Sequence, residues 1–184
     1  MRVGIAHHLG WAAVVTASDD HEVVDRRRVS LIEPGVAAAP IHHEGKGLGT
    51  EEAAALVARA RASALRATSA SLDELGAALS EGIASVSLRA WPSDFPVDLV
   101  TQRRAPYEAR ADSVMYRQVL AEVAQVRGWA LHLYDAKDVE IEAARVLGER
   151  ASAVLHGPRS VLGPPWGKDQ RMALAATIVA SVEH

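Results

Sequence analysis

The stretch "RVGIAHHLGWAAVV" (residues 2–15) constrains the fold more than any other part of the chain. Two apolar runs of strand length are separated only by Leu9 and Gly10, a link short enough to demand an antiparallel hairpin. The polar cluster "SDDHE" (18–22) makes the next turn, and "EVVDRRRVSLIE" (22–33) extends as a third strand. Its alternation puts Val23, Asp25, Arg27, Val29 and Leu31 on one face and Val24, Arg26, Arg28, Ser30 and Ile32 on the other. The chain therefore opens with three antiparallel strands, over 2–8, 11–18 and 22–33.

The pattern then changes. Residues 33–49, "EPGVAAAPIHHEGKGLG", read as a loop, and Thr50 as the N-cap of the helical run "EEAAALVARARASALRAT". Ser71 and Glu74 have capping-box spacing before a second helical stretch that ends near Gly82. "IASVSLRAW" (83–91) is a fourth strand, stopped by Pro92, and residues 92–111, with three prolines, form a long loop. Asp112 is expected to cap a helix in which Met115, Val119, Val123 and Val126 follow one face until Gly128. "WALHLYDA" (129–136) is a strand and "KDVEIEAARVLG" (137–148) a helix; a loop with "GPRSVLGPPWG" leads into the last helix, "KDQRMALAATIVAS". A meander followed by strand–helix alternation predicts an α/β fold, a mixed five-stranded sheet with helices on both faces. With 184 residues and no internal repeat or linker, one domain spanning 1–184 is expected.

The segment "SVMYRQVLAEVAQVRGWALHLYDAKDVEIEAARVLG" (113–148), with "KDQRMALAATIVAS" (168–181) and the opening hairpin, resembles the ribonuclease H-like superfamily in its Holliday-junction resolvase branch. That resemblance implies action on nucleic acid phosphodiesters. It also implies three or four carboxylates holding two divalent ions about 4 Å apart. The first-strand acid would fall at Ala6 and the fourth-strand acid near Arg89 or Trp91, none of which is a carboxylate. Asp169 alone keeps the pattern, so the resemblance is to a divergent member lacking the usual acids.

Histidines stand where acids are missing. His7 and His8 close the first strand, and "IHHEGKG" (41–47) brings His42 and His43 with Glu44 in a loop. If that loop folds over the first strand, His7 or His8 would join His42, His43 and Asp169 around a divalent transition metal such as Mn or Zn. Hydrogen-bonded or solvated histidines are the plainer alternative, and no H-E-x-x-H motif occurs. In "YDAKD" (134–138) Asp135 reads better as an N-cap than as a ligand, while Lys137 would contact a phosphate. Arg103, Arg104 and Arg110 surround Tyr107 as phosphate and base contacts, whereas the Arg26-Arg27-Arg28 run is split between strand faces. "GKGLGT" (45–50) is an anion cradle or, more simply, a flexible loop. In "LGPPWGKD" (162–169) Trp166 stiffens the approach to the last helix as a substrate contact, and Lys168 precedes Asp169 in its first turn.

A net charge of −3 and a pI near 6.2 give no global pull toward nucleic acid, so such a role needs a local basic patch. The absence of cysteine excludes thiol catalysis and cysteine zinc sites. No signal-like or spanning apolar run is present, and a soluble cytoplasmic protein is expected. The closing "VEH" bears on none of this. Two functions are expected first. One is a metal-dependent nuclease or phosphodiesterase, with catalytic Asp169, Lys168 and Lys137. The other is an inactive binding or assembly module on the same fold, able to form a homo-oligomer. A small-molecule hydrolase or nucleotide-binding protein is a third, since fold does not fix function.

Overall fold

The computed structural model describes residues 1–182; Glu183 and His184, the end of the "VEH" tail, lie outside the described residues. Five strands form one mixed sheet: β1 (Arg2–His8), β2 (Trp11–Ala17), β3 (Val23–Ser30), β4 (Ser85–Arg89) and β5 (Ala130–Tyr134), in the order β3-β2-β1-β4-β5. The first three run antiparallel, while β4 lies parallel to β1 and β5 parallel to β4. The carboxyl ends of β1, β4 and β5 therefore share one edge. β1 and β2 are buried on both faces, which is why they read as continuous apolar runs.

Helices cover both faces. Against one lie α1 (Thr50–Ala78) and, following the short α2 (Leu99–Gln102), α3 (Glu108–Val126). Leu72, Tyr116 and Leu120 pack there on Val3, Ile5 and Val14. The other face carries α4 (Val139–Leu147), the short α5 (Ala151–His156) and α6 (Pro158–Leu162), and α7 (Lys168–Val179). Small residues line it on both sides, Ala6, Ala13 and Ala17 of the sheet beside Val15, and Ala173, Ala175 and Ala176 of α7. The helix consequently sits so close to β1 that a Cβ on Gly4 would fall 1.8 Å from the Ala173 carbonyl oxygen. No helix among the described residues is long and apolar enough to cross a membrane.

Several elements differ from expectation. α1 runs unbroken where two helices were predicted. Ser71 is tolerated inside it because its hydroxyl donates to the Ser30 carbonyl at 2.8 Å, a tertiary partner that replaces the expected cap. The proline-containing loop holds α2, capped by Asp98, whose Oδ1 accepts from the Thr101 amide. α3 starts at Glu108, so Asp112 lies inside the helix instead of capping it. Its carboxylate, 2% exposed, accepts the Ile41 and His42 amides at 2.9 Å each and pins the long loop onto α3. Burial raises the Asp112 pKa, against the opposing pull of those two amides. The "RRR" run is also structural. Arg26 donates to the carbonyls of Gly163 and Pro165, Arg27 pairs with Asp25 on its own strand, and Arg28 stacks on Trp11.

Candidate functional site

Sites in open α/β sheets gather beyond the carboxyl ends of parallel strands, and here strand alternation divides the two histidines at that edge. His7, in step with Val3 and Ile5, faces α3 and hydrogen-bonds Ser113 Oγ through Nε2 at 3.1 Å. His8, in step with Gly4 and Ala6, faces α7 and donates from Nε2 to Asp169 Oδ2 at 2.9 Å. The His8 ring lies flat on Trp11, with centroids 4.1 Å apart, and the Arg28 guanidinium sits 4.0 Å from the Trp11 centroid. Asp169 occupies the first turn of α7, where the helix dipole favours a carboxylate.

On the α3 side the edge is held by Arg117. Its Nε donates to the Ser113 carbonyl, its Nη2 to the Ser113 hydroxyl at 3.1 Å and its Nη1 to the Ala90 carbonyl just past β4. Tyr134, at the end of β5, donates its buried hydroxyl to the Ile5 carbonyl at 2.9 Å. Burial first, then the nearby Arg117 and Arg89, lowers the His7 pKa to about 3, so its ring is neutral at physiological pH. Burial and Arg89 lower the Arg117 pKa to about 10, which leaves the guanidinium charged at neutral pH.

Beside this network opens a cleft of about 230 Å³ lined by Arg89, Arg110, Arg117 and Lys137, with Tyr134 and Asp135. Arg117 is only 6% exposed, while the other three cations are exposed. None of the four makes an ion pair with another described residue. Asp135 Oδ1 accepts the Lys137 amide at 2.8 Å, which closes a turn ahead of α4. Asp135 caps this turn as expected, its carbonyl also accepting the Val139 amide at 3.0 Å, while Asp138 at the N-cap position of α4 makes no side-chain cap bond.

The long loop forms a second cluster, with its own recess of about 440 Å³. His42 Nδ1 donates to Glu108 Oε2 at 2.6 Å, and the His43 ring meets His42 edge-on. Arg103 donates to the carbonyls of Gly45 and Leu48, and Tyr116 to that of Ala38, so the loop is anchored along its length. The glycines of "GKGLGT" shape it: a Cβ at Gly45 would meet the Pro40 carbonyl at 2.1 Å, and Gly47 has φ +84°. The amide of Gly49, at the start of α1, is taken by Glu52.

These placements divide the residues of the expected metal centre. His7 and His8 point to opposite faces, His42 is engaged by Glu108, and Asp169 accepts from His8. Among the described residues no group of three or more His, Asp or Glu side chains is placed to hold a metal ion. Ala6, 1% exposed, offers no donor, and Arg89 stands one register step beyond the Ile5–Leu88 pair, beside Ala6, as a cation. The donor set does not fit two divalent ions. Trp166 is 5% exposed, and its indole donates to the Leu155 carbonyl inside the core, so it packs the fold and is not open to a substrate. Arg103 is spent on the loop and Tyr107 packs edge-to-face on Phe95, while Arg104, Lys168 and Lys137 are exposed. Of the residues expected to contact phosphate, Arg110 and Lys137 line the cationic cleft. Arg89 and Arg117 went unnoticed as binding residues. The signal was the seven-residue spacing of Arg110 and Arg117, which places both on one helix face.

The sheet order, the antiparallel opening and the helices on both faces define a ribonuclease H-like fold of the resolvase kind. The solved structure of T. thermophilus RuvC in complex with Holliday junction substrate is similar to this chain, with a TM-score of 0.54 and 12% identity. The match covers 99% of this chain and 93% of that one, and at such identity it establishes the fold. No protein-family model matches the sequence, and neither does any curated protein.

Proposed function

We propose that this chain is a resolvase-fold protein that binds nucleic acid by its phosphates at the sheet edge without using a two-metal centre. The observation that carries this reading is the set of four cations, Arg89, Arg110, Arg117 and Lys137, lining one cleft at the edge where the resemblance would put an acid and Ala6 stands. Carboxylates at such an edge attract divalent cations; guanidinium and ammonium groups attract phosphate oxygens. The similar RuvC structure is a complex with Holliday junction substrate, which supports DNA as the ligand class. The chain's overall charge of −3 makes this a local attraction.

The test is fluorescence anisotropy with labelled single-stranded, duplex and four-way-junction DNA in EDTA. The reading expects binding to persist in EDTA, without cleavage, and to weaken in Arg110→Ala/Lys137→Ala. Binding that requires Mn²⁺ or Mg²⁺ would contradict it.

A second reading, a phosphodiesterase with a His/Asp metal site, draws on the His8–Asp169 pair, an imidazole and a carboxylate facing each other 2.9 Å apart. Two donors suit Mn or Zn better than Mg, and Lys168 adjoins them in the first turn of α7. Metal-dependent cleavage lost in Asp169→Asn would favour this reading over the first.

A further inference from the structure

We propose that the cationic cleft takes the terminal phosphate of a nucleic acid strand, a phosphomonoester, in preference to an internal phosphodiester. The inference rests on the phosphate-binding reading above and names its ligand more narrowly.

Charge is the first argument. Four cations face a single carboxylate, Asp135, which is already turned to the Lys137 amide. An internal phosphodiester brings one negative charge, whereas a terminal phosphate carries about −1.5 to −2 at pH 7 and three strong acceptor oxygens. The dianion matches the excess.

Geometry is the second. The cations converge from three separate elements, Arg89 from the end of β4, Arg110 and Arg117 from α3, and Lys137 from the turn after β5. A groove that tracks a backbone would spread its charges along a line; these surround one volume of about 230 Å³. A phosphate with its sugar fits that space, and a duplex does not.

Arg117 supplies the third argument. It is a buried guanidinium with no carboxylate partner, held by three donated hydrogen bonds to Ser113 and Ala90. A guanidinium has five N–H groups, so two remain for a planar, two-point contact with a phosphate. Burying an uncompensated charge is costly, and a bound dianion removes that cost. Val114 and Pro92 give the cleft an apolar wall suited to a sugar.

The experiment compares one oligonucleotide in three forms, with a 5′-phosphate, with a 3′-phosphate and with both ends hydroxyl, in EDTA. Binding is measured to the intact chain and to Arg110→Ala/Lys137→Ala, whose altered residues are exposed; melting temperature confirms that the variant folds. Inorganic phosphate and a nucleoside monophosphate serve as competitors. The proposal expects at least one phosphorylated end to tighten binding by about tenfold. It also expects both competitors to reverse that gain and the variant to lose it. Equal binding of all three forms, with the variant still impaired, would overturn the terminal preference and leave the phosphate-binding reading standing. No binding of any form would overturn both.

Discussion

Arg117 and His7 meet on one hydroxyl: Arg117 Nη2 and His7 Nε2 each lie 3.1 Å from Ser113 Oγ. The contact joins the end of β1 to α3, and α3 to the end of β4 through the Ala90 carbonyl. It also bears on the charge of the edge, because burial and then the adjacent guanidinium keep His7 neutral.

The pH dependence of folding follows. His7 has a folded pKa of about 3, below its ordinary 6.5. The unfolded chain therefore binds more protons between these values. Stability from this group is full above pH 6.5 and is lost progressively as pH falls toward 3. By pH 5 the loss is on the order of 2 kcal/mol. Urea unfolding at pH 7 and pH 5 should show this loss in the parent and a much smaller one in His7→Gln. Equal losses in both would refute the assignment.

Gly4 is required by the closeness of α7. A methyl group there would sit 1.8 Å from the Ala173 carbonyl oxygen, which only a shift of the helix can relieve. Gly4→Ala should destabilise the fold by about 3 kcal/mol, the upper part of the range for overpacking. A melting temperature within a degree or two of the parent would show that α7 is free to move.

Asp112 governs the long loop. In Asp112→Asn the side-chain amide presents hydrogens toward one of two backbone N–H groups, leaving a buried donor unpaired at a cost of about 1–3 kcal/mol. Hydrogen exchange at Ile41 and His42 should accelerate by at least tenfold, a factor equivalent to about 1.4 kcal/mol. Unchanged exchange would mean that the loop holds itself.

Much of the fold was legible because its signals are local. The Leu9-Gly10 bend, the apolar runs of β1 and β2 and the alanine-rich α7 each follow from periodicity and turn chemistry. What escaped was set by contacts distant in sequence. Ser71 looks like a cap until Ser30 is seen to accept its hydroxyl, and Asp112 looks like one until Ile41 and His42 arrive beneath it. Trp166 reads as a substrate contact because the core around Leu155 is assembled only in three dimensions. The candidate site was read as a loss, acids missing at Ala6 and Arg89. The gain was legible only at Arg110 and Lys137, because the four cations come from three elements far apart in the chain.

Metal titration separates the two functional readings cheaply. A ligand present at 100 times its Kd stabilises a native site by about 2.7 kcal/mol. With Mn²⁺, Zn²⁺ or Mg²⁺ added to metal-stripped protein, the melting temperature should stay unchanged. A rise abolished by both His8→Ala and Asp169→Ala would establish the pair as a metal site.

The most direct test of the cationic cleft is the salt dependence of DNA binding. Each phosphate neutralised adds about 0.9 to the slope of log K against log salt. Arg110→Ala/Lys137→Ala should lower that slope by about 1, since the cleft holds one phosphate, and weaken binding to every sequence alike. A variant that binds with the parent's affinity and slope would show that DNA does not enter this cleft, and the account would fall.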